Sequence, residues 1–62
     1  MTYFDLYKKI IANGWEVLRK IESNHYIYIK QGMESPPVPF HYDKEVGARL
    51  LIKIIKDMDL SS

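Results

Sequence analysis

The sequence predicts an α+β fold of order α-β-β-β-α, with two helices packed on one face of a three-stranded antiparallel sheet. Three patterns predict it: apolar side chains at helical spacing near both ends, a two-residue alternation across residues 15–31, and a proline-punctuated extended stretch at 36–42. The 62 residues leave room for one domain, residues 1–62, with a core near the lower size limit for independent stability.

Residues 3–13 place Tyr3, Phe4, Tyr7, Ile10 and Ile11 on one broad face and Asp5, Lys8 and Lys9 on the other, the pattern of an amphipathic helix. Thr2 suits its N-cap, Asp5 complements the dipole in the first turn, and Asn13-Gly14 supplies left-handed conformations that stop it. From Trp15 to Ile21 the period changes to two, with Trp15, Val17, Arg19 and Ile21 on one face and Glu16, Leu18 and Lys20 on the other. Glu22-Ser23-Asn24 reads as a tight turn. Residues 25–31, rich in Tyr and Ile, then form a second strand that pairs with the first as a hairpin. His25 opens this strand and shares a face with Ile27 and Ile29. Both faces are bulky, so parity alone leaves open whether His25 points to the core or to solvent.

Residues 31–35 read as a loop. Pro36, Pro37 and Pro39 then force residues 36–42 to be extended and confine them to a sheet edge, with Val38, Phe40 and Tyr42 sharing the parity that buries an apolar stripe. Asp43 is a suitable N-cap for a last helix over 44–59, whose Leu50, Leu51, Ile54, Ile55 and Met58 form a core-facing stripe.

Composition narrows the function. Without cysteine there is no disulfide framework, no thiolate zinc site and no cysteine nucleophile. The two histidines and scattered carboxylates show no metal-ligand spacing, so neither metal nor cofactor is expected. No run approaches the roughly 18 apolar residues that cross a bilayer, and the N-terminus lacks a signal-peptide layout, which predicts a cytoplasmic protein with no membrane partner. Nine Lys/Arg against eight Asp/Glu give a formal charge of +1, so overall charge adds no strong attraction for nucleic acid. The residue with chemistry to offer is His25, whose side-chain type titrates near neutrality and stands beside the polar Ser23-Asn24 pair.

The ordered series Ala12-Asn13-Gly14-Trp15-Glu16-Val17, Arg19-Lys20, Ser23-Asn24-His25-Tyr26-Ile27-Tyr28, Val38-Pro39-Phe40-His41, Lys44-Glu45-Val46 and Ile54-Ile55-Lys56-Asp57-Met58-Asp59-Leu60 resembles the HicA family of toxin-antitoxin systems over nearly the whole chain. The resemblance implies a double-stranded-RNA-binding-domain-like fold, an mRNA-cleaving toxin and a HicB-type antitoxin partner. It puts the family's catalytic histidine on His25, which would move a proton at the ribose 2′-hydroxyl or the leaving 5′-oxygen without a metal. His41 matches the family's second histidine position. Two departures stand out: Ser23 replaces a turn glycine, and Gly47-Ala48-Arg49-Leu50-Leu51-Ile52 replaces the start of the last helix, with loss of a basic side chain.

The residues expected to contact RNA are Arg19, Lys20, Ser23, Asn24, Tyr26, Lys30, His41 and Lys44, with Lys8 and Lys9 adding to a local basic patch and Tyr26 and Tyr28 offering rings to bases. Two other readings compete with the endoribonuclease toxin. One is a non-catalytic RNA-binding module of the same fold, and the other a protein-interaction domain.

Overall fold

The computed structural model describes residues 1–22 and 24–61. Its elements are α1 (Tyr3–Ala12), β1 (Glu16–Ile21), β2 (His25–Lys30), β3 (Met33–Glu34), β4 (Val38–Pro39) and α2 (Ala48–Asp57). β2 lies at the centre of an antiparallel sheet, with β1 along one side and β3 and β4 sharing the other. The two helices and this sheet form the α+β, double-stranded-RNA-binding-domain-like arrangement, in which the third strand position is divided between two short strands. No helix among the described residues is long and apolar enough to cross a membrane.

α1 begins with a capping box. The Asp5 N–H donates to the Thr2 hydroxyl at 3.1 Å, and the Thr2 N–H donates to the Asp5 carboxylate at 3.2 Å. These bonds, the Thr2 backbone N–H foremost, hold the Asp5 carboxyl below its usual range. Leu6 and Ile10 form the buried centre of the helix face, whereas Ile11, expected on that face, is exposed. Gly14 alone takes the left-handed turn at φ 93°, while Asn13 stays at φ −89°. Trp15 is buried next, its indole N–H donating to the Met58 carbonyl at 3.3 Å and tying this corner to the end of α2.

The register of β1 on β2 breaks between Val17 and Arg19, which overturns the unbroken alternation of residues 15–21. Val17 pairs with Tyr28, but Arg19 pairs with Ile27 and Ile21 with His25, with Leu18 as the extra residue. A one-residue bulge exchanges the faces of all that follows. Arg19 and Ile21 therefore share a face with His25, Ile27 and Ile29, and Val17 does not.

Tyr28, 1% exposed, carries the other face of β2 into a core with Leu6, Ile10, Trp15, Val38, Val46, Ile54, Met58 and Leu60. Both helices contribute to this cluster, so both cover the Tyr26/Tyr28 face. The α2 stripe packs as its spacing predicts: Ile54 and Met58 are buried, and Leu50, Leu51 and Ile55 pack against them.

Three boundaries differ from the sequence expectation. The loop expected at 31–35 contains β3, because Gln31 and Gly32 both take positive φ and fold the chain back, pairing Met33 with Lys30 and Glu34 with Ile29. The edge strand expected over 36–42 pairs only at Val38 and Pro39, and Tyr42 turns outward at φ 42°, exposed. The last helix starts at Ala48 with Gly47 as N-cap, so neither the start at 44 nor the Asp43 cap holds. Residues 42–46 are instead drawn to the N-terminus of α1, whose first N–H groups have no partners within the helix. There Phe4 donates to the Tyr42 carbonyl at 2.9 Å and Tyr3 to the Lys44 carbonyl at 3.0 Å, while the Val46 N–H returns a bond to Met1.

α2 ends in a Schellman motif. The Leu60 N–H reaches the Ile55 carbonyl and the Asp59 N–H the Lys56 carbonyl, with Asp59 left-handed at φ 52°.

Ser35 closes the gap between β3 and β4. Its N–H donates to the Tyr28 carbonyl at 2.8 Å, and its buried hydroxyl accepts the Tyr28 N–H at 2.9 Å, so β2 keeps its partners where strand pairing lapses. Ser35→Ala is expected to lower stability by about 1–3 kcal/mol by orphaning the buried Tyr28 N–H, read as a lower urea midpoint at constant m-value. Asp59→Gly is expected to raise stability by roughly 0.5–1 kcal/mol, read as a higher urea midpoint, since glycine adopts the left-handed cap without strain.

Candidate functional site

His25 stands where three strands meet. It is the first residue of β2, half-buried, with Ile21 of β1 opposite on one side and Pro39 of β4 on the other. Its face of the sheet is turned away from the helices, because its parity is opposite to that of Tyr26 and Tyr28. This settles the question left open by the sequence: His25 points to the uncovered face, in company with Ile21, Arg19, Ile27 and Ile29.

The turn that delivers His25 is conformationally unusual. Glu22 and Asn24 both take positive φ, 49° and 64°, a region that Asn tolerates better than most residues. The Asn24 carbonyl then accepts the Phe40 N–H at 2.7 Å, extending the contact between β2 and the chain leaving β4. Ser23, expected among the RNA contacts, lies outside the described residues.

The other expected contact residues fall in different places. Arg19 shares the His25 face, and its Nη2 lies 3.0 Å from Glu34 Oε1. Lys20 is exposed and opposite Tyr26 in register, on the helix-facing parity. Tyr26 is half-buried against the core, its ring 5.6 Å from Phe40 and 6.2 Å from Tyr28, and Tyr28 lies within the core, so neither ring stands free as a stacking surface. Burial first, then the neighbouring Tyr7 and Tyr26 phenols, pushes the Tyr28 phenol far up, and it stays neutral through the physiological range.

Lys30 closes the far end of β2, about 17 Å along the strand from His25 at ~3.3 Å per residue. Its ammonium lies 5.9 Å from the centre of the Trp15 ring. His41 packs edge-on against Tyr3 at 5.0 Å. Lys44 is exposed on the segment beside the α1 N-terminus, where its carbonyl caps Tyr3. Lys8 pairs with Asp5 at 3.5 Å and lies 4.9 Å over the Phe4 ring. The expected basic patch is thus divided between separate regions, and Arg19 is the member that the bulge brings to the face of His25.

Sequence reasoning missed Glu34. The sequence reads residues 31–35 as a loop, and simple alternation puts Arg19 on the opposite face; the bulge at Leu18 is what brings the two side chains together. Among the described residues, no group of three or more His, Cys, Asp or Glu side chains is arranged to hold a metal ion. The chemistry within reach of this face is proton transfer at an imidazole and recognition of an anion by a guanidinium.

A model of the HicA toxin family of bacterial toxin-antitoxin systems matches residues 4–60. No curated protein and no solved structure matches the chain.

The left-handed turn before His25 gives a direct check. Asn24→Ala is expected to destabilise by about 1 kcal/mol while Asn24→Gly is neutral or better, a contrast of conformation rather than of side-chain contact that thermal unfolding of the pair will show.

Proposed function

The chain belongs to the HicA toxin family, and from that premise we propose that it is an endoribonuclease that cuts messenger RNA in the cytoplasm, with His25 as general acid or base. The observation that carries the proposal is the placement of His25, the residue to which the sequence resemblance assigns the family's histidine, at the head of β2 on the uncovered sheet face with Arg19 on the same face. A toxin of such a system works against an antitoxin, and the partner proposed here is a HicB-type protein.

The reaction needs the ribose 2′-hydroxyl as internal nucleophile. His25 takes its proton as the 2′-oxygen bonds to phosphorus, the bond to the 5′-oxygen breaks, and a proton delivered to that oxygen releases it. The products are a 2′,3′-cyclic phosphate and a 5′-hydroxyl end. DNA lacks the nucleophile and resists. No step requires a metal, because acid-base catalysis by a positioned imidazole contributes on the order of 10²–10⁴ in rate by itself. The second proton comes from water or from His41, whose ring rests on Tyr3 of α1. Arg19 on the same face offers the planar fork that matches phosphate oxygens.

The division of the other cations between separate regions favours a second reading, a non-catalytic RNA-binding module in which His25 only touches the backbone. Induced expression separates the two. Wild-type protein is expected to deplete cellular messenger RNA and arrest growth, and His25→Ala, confirmed as folded by circular dichroism, is expected to do neither. Intact RNA in both cultures, from folded protein, would overturn the ribonuclease, and RNA affinity at low salt would then separate the non-catalytic module from a protein-interaction domain.

A further inference from the structure

Arg19 reaches across the sheet. It belongs to β1 and Glu34 to β3, on opposite sides of the central β2, yet their side chains meet at 3.0 Å. In register Arg19 stands beside Ile27 and Glu34 beside Ile29, so the ion pair spans β2 on the face of His25, which lies two residues from Ile27. Ile27 is 8% exposed although it takes no part in the helix-side core, and this bridge passes over its row.

A carboxylate and a phosphodiester present the same two-oxygen edge to a guanidinium. Both side chains of the pair are 51% exposed, and an ion pair so solvated is held weakly enough for another anion to displace it. Resting on the ribonuclease reading above, we propose that Glu34 is an internal competitor for the RNA backbone: in the free protein its carboxylate occupies the Arg19 guanidinium that binds a substrate phosphodiester on the sheet face of His25. Glu34 therefore lowers RNA affinity, and substrate enters by exchanging one anion for another. The competition acts on a cation that shares the face of His25, on a chain whose formal charge is only +1.

The test is a double-mutant cycle on the full chain. Binding of a fluorescent single-stranded RNA oligonucleotide is measured in a His25→Gln background, so that the probe survives, for Glu34→Gln, Arg19→Gln and the pair of changes. Arg19→Met, which keeps an apolar stem over Ile27, stands in should Arg19→Gln fail to fold. Glu34→Gln is expected to tighten binding about two- to fivefold at low salt, the range of an exposed ion pair, with the gain shrinking as salt rises. In the absence of Arg19 the same change is expected to have no effect. An equal gain with and without Arg19 would reduce Glu34 to a general repulsive charge and overturn the proposal. Unchanged or weaker binding would also overturn it, the latter by making Glu34 an orienting partner of Arg19. Cleavage by protein with His25 intact separates the two readings. If wild type cuts RNA while Glu34→Gln leaves affinity unchanged, internal competition alone is wrong; if wild type neither binds nor cuts RNA, both readings fall.

Discussion

The structure depends on keeping the backbone of β2 paired on both sides while the Tyr28 ring fills the core. β1 runs along one side of this strand, but the other side is shared by β3 and β4, with Ser35-Pro36-Pro37 between them. Two prolines cannot donate to a ladder, so an ordinary edge strand would leave buried polar groups of β2 without partners. Ser35 resolves the conflict by answering both backbone groups of Tyr28, and its own hydroxyl proton goes to the Pro36 carbonyl at 2.8 Å. With that point secured, Tyr28 can be buried, and the two helices have an apolar surface against which to pack.

The bulge at Leu18 determines what the opposite face displays. In a regular hairpin Val17, Arg19 and Ile21 would all lie toward the helices, and the guanidinium would meet the core. The extra residue leaves Val17 on that side and turns Arg19 and Ile21 to the uncovered side, beside His25. Bulges of this kind re-aim side chains at the edge of a sheet and discourage pairing with other chains. The same irregularity thus protects the free β1 edge and gathers an imidazole, a guanidinium and the Glu34 carboxylate on one surface.

Much of this was legible in the sequence, where local pattern and tertiary demand agree. The Thr2 and Asp5 cap, the Gly14 stop, the hairpin and the stripe from Leu50 to Met58 follow from periods and caps that the fold has no reason to override. Legibility failed where a segment answers to a distant one. Asp43 to Val46 carries credible signals for a helix start, yet the carbonyls of Lys44 and of the preceding Tyr42 are worth more to the unpaired N–H groups of α1, some forty residues away in sequence, than to a first turn of α2. Register is similarly non-local. Nothing in Glu16-Val17-Leu18-Arg19 distinguishes a bulge from simple alternation, because the distinction lies in how β2 is met. For that reason His25 could be picked out as a residue but its face could not, and Glu34 carried no signal at all.

The site also shows why weak overall charge does not decide an RNA-binding reading either way. Screening confines the influence of an exposed charge to about 8–10 Å at physiological salt, so Lys30 at the opposite end of the strand adds little at His25, whereas Arg19, in register with Ile27, lies on its face. Precise placement matters more than the sum. His25 has it: its backbone is fixed by Ile21 on one side and Pro39 on the other, and the chain enters through a turn with Asn24 held left-handed and bonded to Phe40. A side chain on such a strand end keeps its geometry while its face of the sheet is left uncovered by the helices, the placement on which the proposed proton transfer relies.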